Sequence, residues 1–291
     1  MNNSNALIGI FAVMCFVFFI SCSDDNPAKN NPNEPSGDFK YPYEINSFWY
    51  YSTYNYVTNY RPDSLRNIIA DDTIVGNGIA EFTRDTVFNS DTLHLLKNTH
   101  SSEGHEHTTL ELYKQSDTGL VRYAFYSNGT NFGPFRVSQL RFKIENDSKE
   151  FKSTTELLRW YESYAVADFH GDTTFIIDDP PINAIKYPIT DGTEWSYLDY
   201  GATKIKKLYS GFENISTQAG SFYCARIKRN WYLNFSNVPD SNFYLVDYFS
   251  ESGMVKRDFR IKNVLVTTST GDPLGYIEVV EESKLNIVTL P

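Results

Sequence analysis

Cysteine is scarce in this sequence: three residues in 291. Cys15 and Cys22 lie near the N-terminus, so Cys224 stands alone in the remainder and no disulfide can form within it. A domain there must be held by its own core, which is feasible at this length. Clustered positive charge is missing too. Lys and Arg total 26 against 36 Asp and Glu, a net of −10, and no basic run exceeds Lys204-Ile205-Lys206-Lys207. That excludes nucleic acid as a partner, since such surfaces neutralise phosphates with clustered cations. There is no Gly-x-Ser-x-Gly, no His-Glu-x-x-His, no Ser-x-x-Lys and no phosphate-cradling glycine loop. Helical and strand patterns never alternate regularly, which excludes a parallel α/β fold.

Positive charge is absent from residues 1–6 as well, yet an apolar run of 14 follows at 7–20. It is too short to span a bilayer comfortably and reads as the core of a signal peptide. Its ending, Phe19-Ile20-Ser21-Cys22, resembles a lipobox, so residues 1–21 are expected to be removed and Cys22 acylated. A plain secretory signal is the competing reading. Residues 22–40 are rich in Asn, Pro and Asp and read as a disordered tether with a reach of about 25 Å. Ser23-Asp24-Asp25 resembles the export signal of surface-exposed lipoproteins, or is simply an acidic linker. The expected address is the bacterial outer membrane, with the membrane as partner through the lipid.

What the chain has in plenty is aromatic residues, 16% with 21 Tyr and 21 Phe, which suits strands packed on one side and wet on the other. Two stretches organise them. Tyr187-Pro188-Ile189-Thr190-Asp191-Gly192-Thr193-Glu194-Trp195-Ser196-Tyr197 is echoed by Tyr41-Pro42 through Trp49 and Tyr51, with Ser47 read as replacing the motif Gly. Downstream of each lies a second echo, Asp117-Thr118-Gly119-Leu120-Val121-Arg122 and Glu251-Ser252-Gly253-Met254-Val255-Lys256. The expectation is an all-β chain of two related antiparallel modules, 41–180 and 181–291, built as sandwich or half-barrel meanders.

Strands are expected at 48–58, 73–83, 85–96, 108–114 and 119–126, with further alternation over 135–146. Gly76-Asn77-Gly78 reads as a turn, and Asp178-Asp179-Pro180-Pro181 as the module boundary. In the second module strands are expected at 194–200, 203–213, 222–233, 242–250, 254–262, 263–269 and 275–282. At most one short helix is expected, at 153–166, where Ser153-x-x-Glu156 resembles a capping box.

Three motifs of the second module occur in an order seen elsewhere: Tyr-Pro-x-x-x-Gly-x-x-Trp-x-Tyr (187–197), Ala-Gly-Ser-Phe-Tyr-Cys (219–224) and Ser-Gly-Met-Val-Lys (252–256). In this the chain resembles the uncharacterised bacterial exported lipoproteins of the TapB-like group. The resemblance implies an antiparallel β fold and adds no chemistry.

Candidate sites are few. His100, His105 and His107, with Glu103 and Glu106, could offer imidazole and carboxylate to zinc or copper, or form a hydrated hairpin loop. Asp168-Phe169-His170-Gly171-Asp172 reads as a turn before a calcium loop. Cys224 shares a face with Arg226 and Lys228, which would activate it only if they were close; a core position is the plainer reading. Trp49 and Trp195 read as core anchors, whereas Trp231 with Tyr232 is the candidate platform for stacking a sugar. No cofactor is expected. The favoured role is non-catalytic binding or scaffolding of an envelope protein or glycan; the alternatives are a metal-dependent hydrolase on the three His and a glycan-binding surface lipoprotein.

Overall fold

Side-chain alternation lays out the strands. In β1 (Phe48–Arg61), Trp49, Tyr51, Thr53 and Asn55 are buried, and the intervening Tyr50, Ser52 and Tyr54 face outward. The structure, a computed structural model, describes residues 39–69, 73–102, 105–127, 139–144, 149–162, 175–199 and 201–291. Cys22, the tether up to residue 38 and the cluster at 168–172 lie outside them. After β1 come β2 (Ile74–Phe88), β3 (Asp91–Ser102), β4 (His105–Ser116) and β5 (Gly119–Ser127), each antiparallel to the strand before it. β6 (Leu140–Ile144) and α1 (Thr154–Glu162) precede β7 (Ile176–Lys186), which returns to pair with β5.

A second meander follows: β8 (Glu194–Asp199), β9 (Lys204–Thr217), β10 (Gly220–Tyr232), β11 (Phe243–Ser250), β12 (Gly253–Thr268) and β13 (Pro273–Thr289). β13 then pairs with β1 almost end to end, from Phe48↔Thr289 to Arg61↔Tyr276. The two meanders are therefore one sheet, in the order β7-β5-β4-β3-β2-β1-β13-β12-β11-β10-β9-β8, with β6 added to the far part of β12. Right-handed twist curls a sheet this long until its ends approach. The result is a nearly closed antiparallel barrel.

Several local expectations change. The proposed boundary at 180/181 falls inside β7, where two prolines are tolerated because this is an edge strand. Gly76-Asn77-Gly78 is not a turn but part of β2; a Cβ at Gly76 would meet the Ser101 carbonyl 2.8 Å away on β3. The segment read as a strand at 85–96 is split by a hairpin at Asn89-Ser90, both with positive φ. The two strands read at 254–262 and 263–269 are a single β12, bent at Asn263 (φ 53°). At the first Tyr-Pro motif the left-handed residue is Asn46 (φ 71°), not Ser47; it stands where Gly192 (φ 80°) does in the second.

The helix forms where the capping box suggested. The Glu156 N–H donates to Ser153 Oγ (3.0 Å), and Glu156 Oε2 accepts from the Lys152 N–H (2.7 Å). Its Leu157, Leu158 and Tyr161 are buried.

Two large apolar clusters fill the interior. One gathers Tyr41, Trp49, Tyr51, Phe82, Trp195, Tyr209, Phe249 and Val255. The other gathers Leu157, Leu158 and Tyr161 of α1 with Trp231, Phe243, Leu245, Phe259 and Val279. Each strand from β9 round to β1 contributes to both, and between its two contributions each places a polar residue.

Candidate functional site

That polar belt is the most unusual chemistry in the molecule. On β9 Lys207 lies between Ile205 and Tyr209; on β10 Arg229 lies between Ile227 and Trp231. On β11 Asp247 lies between Leu245 and Phe249; on β12 Arg257 lies between Val255 and Phe259. Ser283 and Glu281 on β13, then Thr53 and Asn55 on β1, carry the belt onward. Register sets the neighbours: Lys207↔Arg229, Asp247↔Arg257, Arg257↔Ser283 and Thr53↔Ser283 are cross-strand pairs.

Most buried charge here is matched. Arg229 Nη2 donates to Asp247 Oδ2 (2.8 Å) and Arg257 Nε to Asp247 Oδ1 (2.6 Å). Burial alone would raise the Asp247 carboxyl, but the Arg257 and Arg229 charges outweigh it and hold it well below the usual range. Across the lumen Arg122 on β5 grips Asp178 on β7 with two bonds, 2.8 and 3.2 Å. Arg159 of α1 is paired with Glu281.

Lys207 is different. Only 4% of it is exposed, and its Nζ donates to the Ala184 carbonyl (2.8 Å) and lies 4.0 Å from the Tyr197 ring centroid. Burial, then the charge of Arg229, hold its ammonium well below the usual lysine value.

The Lys207 bond is also one of three, among the described residues, that join the two ends of the sheet. β7 and β8 are the ends of the sheet order, and their edges are joined by side chains. Trp195 Nε1 donates to the Asn183 carbonyl (2.9 Å), Lys207 Nζ to that of Ala184, and Tyr209 Oη to that of Lys186 (2.5 Å). Thus side chains of β8 and β9 satisfy carbonyls on the exposed side of β7.

Among the His residues, His100 and His107 are direct cross-strand partners, and His105 stands opposite Ser102. His100 Nε2 lies 2.8 Å from Arg159 Nη2. A guanidinium can only donate, so that ring nitrogen accepts and its lone pair is engaged. Among the described residues no three His, Cys, Asp or Glu side chains are grouped to hold a metal.

The stacking platform must be corrected. Trp231 is 1% exposed, because β10 turns Ile227, Arg229 and Trp231 to the lumen; Phe259 stacks on it at 6.1 Å and Phe243 lies at 5.4 Å. Tyr232, one residue on, points to the other face beside Lys206, so the two cannot share a platform. An exposed apolar stripe exists elsewhere: Tyr50 of β1 has Ile79 on one side and Ile287 on the other, and donates to Asn77 Oδ1 (2.8 Å).

Trp49 and Trp195 are buried, as read from the sequence. Cys224 is fully buried, its Sγ 3.6 Å from the Phe222 carbonyl, and burial pushes its thiol up to about 12.

No family model matches the chain and no curated protein matches it, so the likeness to the TapB-like group stands on its three motifs alone. Among solved structures the chain is similar to a candidate exported protein with a YmcC-like fold from Bacteroides fragilis. That likeness has a TM-score of 0.35 and 10% identity, covering 87% of this chain and 99% of the other. A candidate lipoprotein from Parabacteroides distasonis gives 0.33 and 11%, with the same coverage. A β-barrel-like protein of a domain of unknown function from Brucella abortus gives 0.31 and 8%, covering 86% and 99%. At TM-scores this low the likeness assigns neither family nor activity.

Proposed function

We propose that this chain is a lipid-anchored cell-envelope protein, held through Cys22 at the outer membrane, that acts by binding a partner and not by catalysis. The observation that carries the reading is the run Leu7–Ile20 ending in Phe19-Ile20-Ser21-Cys22, followed by an Asn/Pro/Asp-rich stretch and then a folded barrel. Each buried acyl methylene is worth about 0.8 kcal/mol, so several acyl chains anchor a protein firmly where a single chain would not. Phe39 and Tyr41, the first part of the folded chain, belong to the first apolar cluster.

A scaffold origin by duplication supports the same reading. Trp49 lies on the first strand of the first meander and Gly119 opens its fifth, β5; Trp195 lies on the first strand of the second and Gly253 opens its fifth, β12. What recurs is framework, not a cluster of reactive groups. Replacing Cys22 by Ala tests the anchor. We expect loss of label from radioactive palmitate and release from the membrane fraction; retention of the variant in membranes sinks the proposal.

The metal-dependent hydrolase on His100, His105 and His107 has the Arg159 guanidinium against it, since that group occupies His100 Nε2 and repels a cation. Stoichiometric zinc or copper in the purified protein, lost on His105→Ala, would reinstate it.

A further inference from the structure

Lys207 and Arg229 face one another across β9 and β10, and both are more than nine-tenths buried. Lys207 spends one N–H on the Ala184 carbonyl, and when protonated it has two further donor positions to offer. Arg229 spends Nη2 on Asp247, while its Nε–H has no partner among the described residues. The Tyr197 ring lies close to both cations, 4.0 Å from Lys207 Nζ and 5.6 Å from Arg229 Cζ. Buried donors left unpaired cost more than paired ones return, so a native structure that retains them in one corner calls for a physical reason. Among the described residues no carboxylate bonds to Lys207, and Arg229 cannot shed its proton. The one ligand chemistry that satisfies both donors and the local charge together is an anion with oxygen acceptors.

We propose that this corner of the belt binds a small oxyanion, a carboxylate or phosphate group, between Lys207 Nζ and Arg229 Nε, admitted through the side-chain-closed seam of β7 and β8. The seam suits the task. Among the described residues its neighbouring backbone edges are tied by Trp195, Lys207 and Tyr209 instead of a ladder, so a local opening there breaks three side-chain bonds and no strand pairing. This names a ligand class for the binding role proposed above and rests on that reading, although the anchor at Cys22 and the oxyanion site stand or fall by separate measurements.

Proton linkage supplies a signature. The groups around Lys207 are Arg229 on β10, Asp247 on β11, Arg257 on β12, Arg122 on β5 and the Tyr197 ring on β8. Burial, then the charge of Arg229, leaves the amine short of its proton, with Asp247 acting against them; an arriving oxyanion restores it, so binding takes up protons from solution.

The test is calorimetric titration of the full chain in detergent with inorganic phosphate and, separately, acetate, at mildly alkaline pH. Two buffers of different ionisation enthalpy and constant ionic strength are used. We expect saturable binding of at least one probe, with net proton uptake in the wild type and at least tenfold weaker binding in Lys207→Met and in Arg229→Gln. Proton uptake needs no variant, so the test survives should either substitution unfold the barrel. Absence of saturable binding to both probes overturns the proposal, as does binding without proton uptake or binding equally strong in a folded Lys207→Met. None of these results bears on whether Cys22→Ala leaves the membrane.

Discussion

Along the sheet order the two meanders meet at β1/β13 and at β7/β8, and these two junctions are built from different bonds. At β1 and β13 they are joined by a backbone ladder running from Phe48↔Thr289 to Arg61↔Tyr276. Trp49 lies across that junction, its Nε1 donating to the Ser252 carbonyl (2.6 Å) at the turn into β12. At β7 and β8 the corresponding edges exchange side-chain bonds to carbonyls: Trp195 to Asn183, Lys207 to Ala184, Tyr209 to Lys186. A ladder distributes its bonds over many residues and opens only when a whole strand leaves. Three isolated side-chain bonds open one at a time. The first junction should therefore behave as part of the global fold and the second as a local gate.

Hydrogen exchange tests this contrast most strongly. Amides of β1 and β13 should exchange only through near-global unfolding, whereas those of β7 and β8 should open at free energies lower by several kcal/mol, on the order of a hundredfold or more in rate. Equal protection at both places would mean that the barrel is closed as firmly at the seam as at the ladder.

Truncating the two tryptophans comes next. Trp49→Ala should cost toward the upper end of about 3–5 kcal/mol, and Trp195→Ala toward the lower end, both read from urea unfolding. Trp49 is the more deeply buried and also covers Gly253, while Trp195 borders the weaker junction. A larger loss at Trp195 would reverse the assignment of gate and hinge.

Glycine substitutions sharpen the same point with smaller effects. Gly253 (φ 98°) and Gly192 (φ 80°) both need the left-handed region, but only at Gly253 would a Cβ run into the Trp49 indole; around Gly192 nothing lies within 4 Å. Gly192→Ala should cost about 1–2 kcal/mol, the conformational penalty alone. Gly253→Ala adds the clash, for a total of about 3 kcal/mol, and in a Trp49→Ala background the excess should vanish. Persistence of the excess without the indole would show that the strain comes from elsewhere.

Much of this architecture was legible in the sequence because period-two alternation is strong from Trp49 to Asn55 and from Ile205 to Tyr209. The capping box likewise located α1. Two things were hidden. Pairing of β13 with β1 links residues more than 200 apart, and no local pattern encodes such a partnership; the Pro180-Pro181 pair, read as a break, fits equally well on an edge strand. The belt was hidden because a single charge within one strand does not by itself signal burial. Its signal was present in phase: Ile205-x-Lys207-x-Tyr209, Ile227-x-Arg229-x-Trp231, Leu245-x-Asp247-x-Phe249 and Val255-x-Arg257-x-Phe259 put a charge between apolar residues of the same face on four successive strands. Phase also places Trp231 inside, in register with Ile227 and Trp231's own neighbour Arg229, and would have removed it as a platform.

The smallest expected effect lies at the seam itself, and it is read as a slope with pH. Replacing Lys207 by Met removes a buried amine and leaves the Ala184 carbonyl without its donor, two changes of opposite sign. At neutral pH the variant should lie within about 1 kcal/mol of wild type. The pH dependence separates them. Lys207 has a folded-state pKa depressed below its unfolded value near 10.4, so between the two values the unfolded chain holds a proton that the folded chain has lost. Stability then rises with pH through that window and levels off above about 10.4. The buried tyrosines act in the opposite sense. Tyr187 at the seam and Tyr43 are both raised by burial to about 12, so the stability they contribute is complete below about 10 and is lost as pH rises through 12. Wild-type stability should therefore climb from the depressed folded-state value of Lys207 to a maximum near 10 and fall beyond it, measured as urea midpoints across the range. Lys207→Met should keep the alkaline fall and lose the climb. If the climb survives in that variant, Lys207 is not the group that the seam holds short of its proton, and the gate must be regulated by another residue.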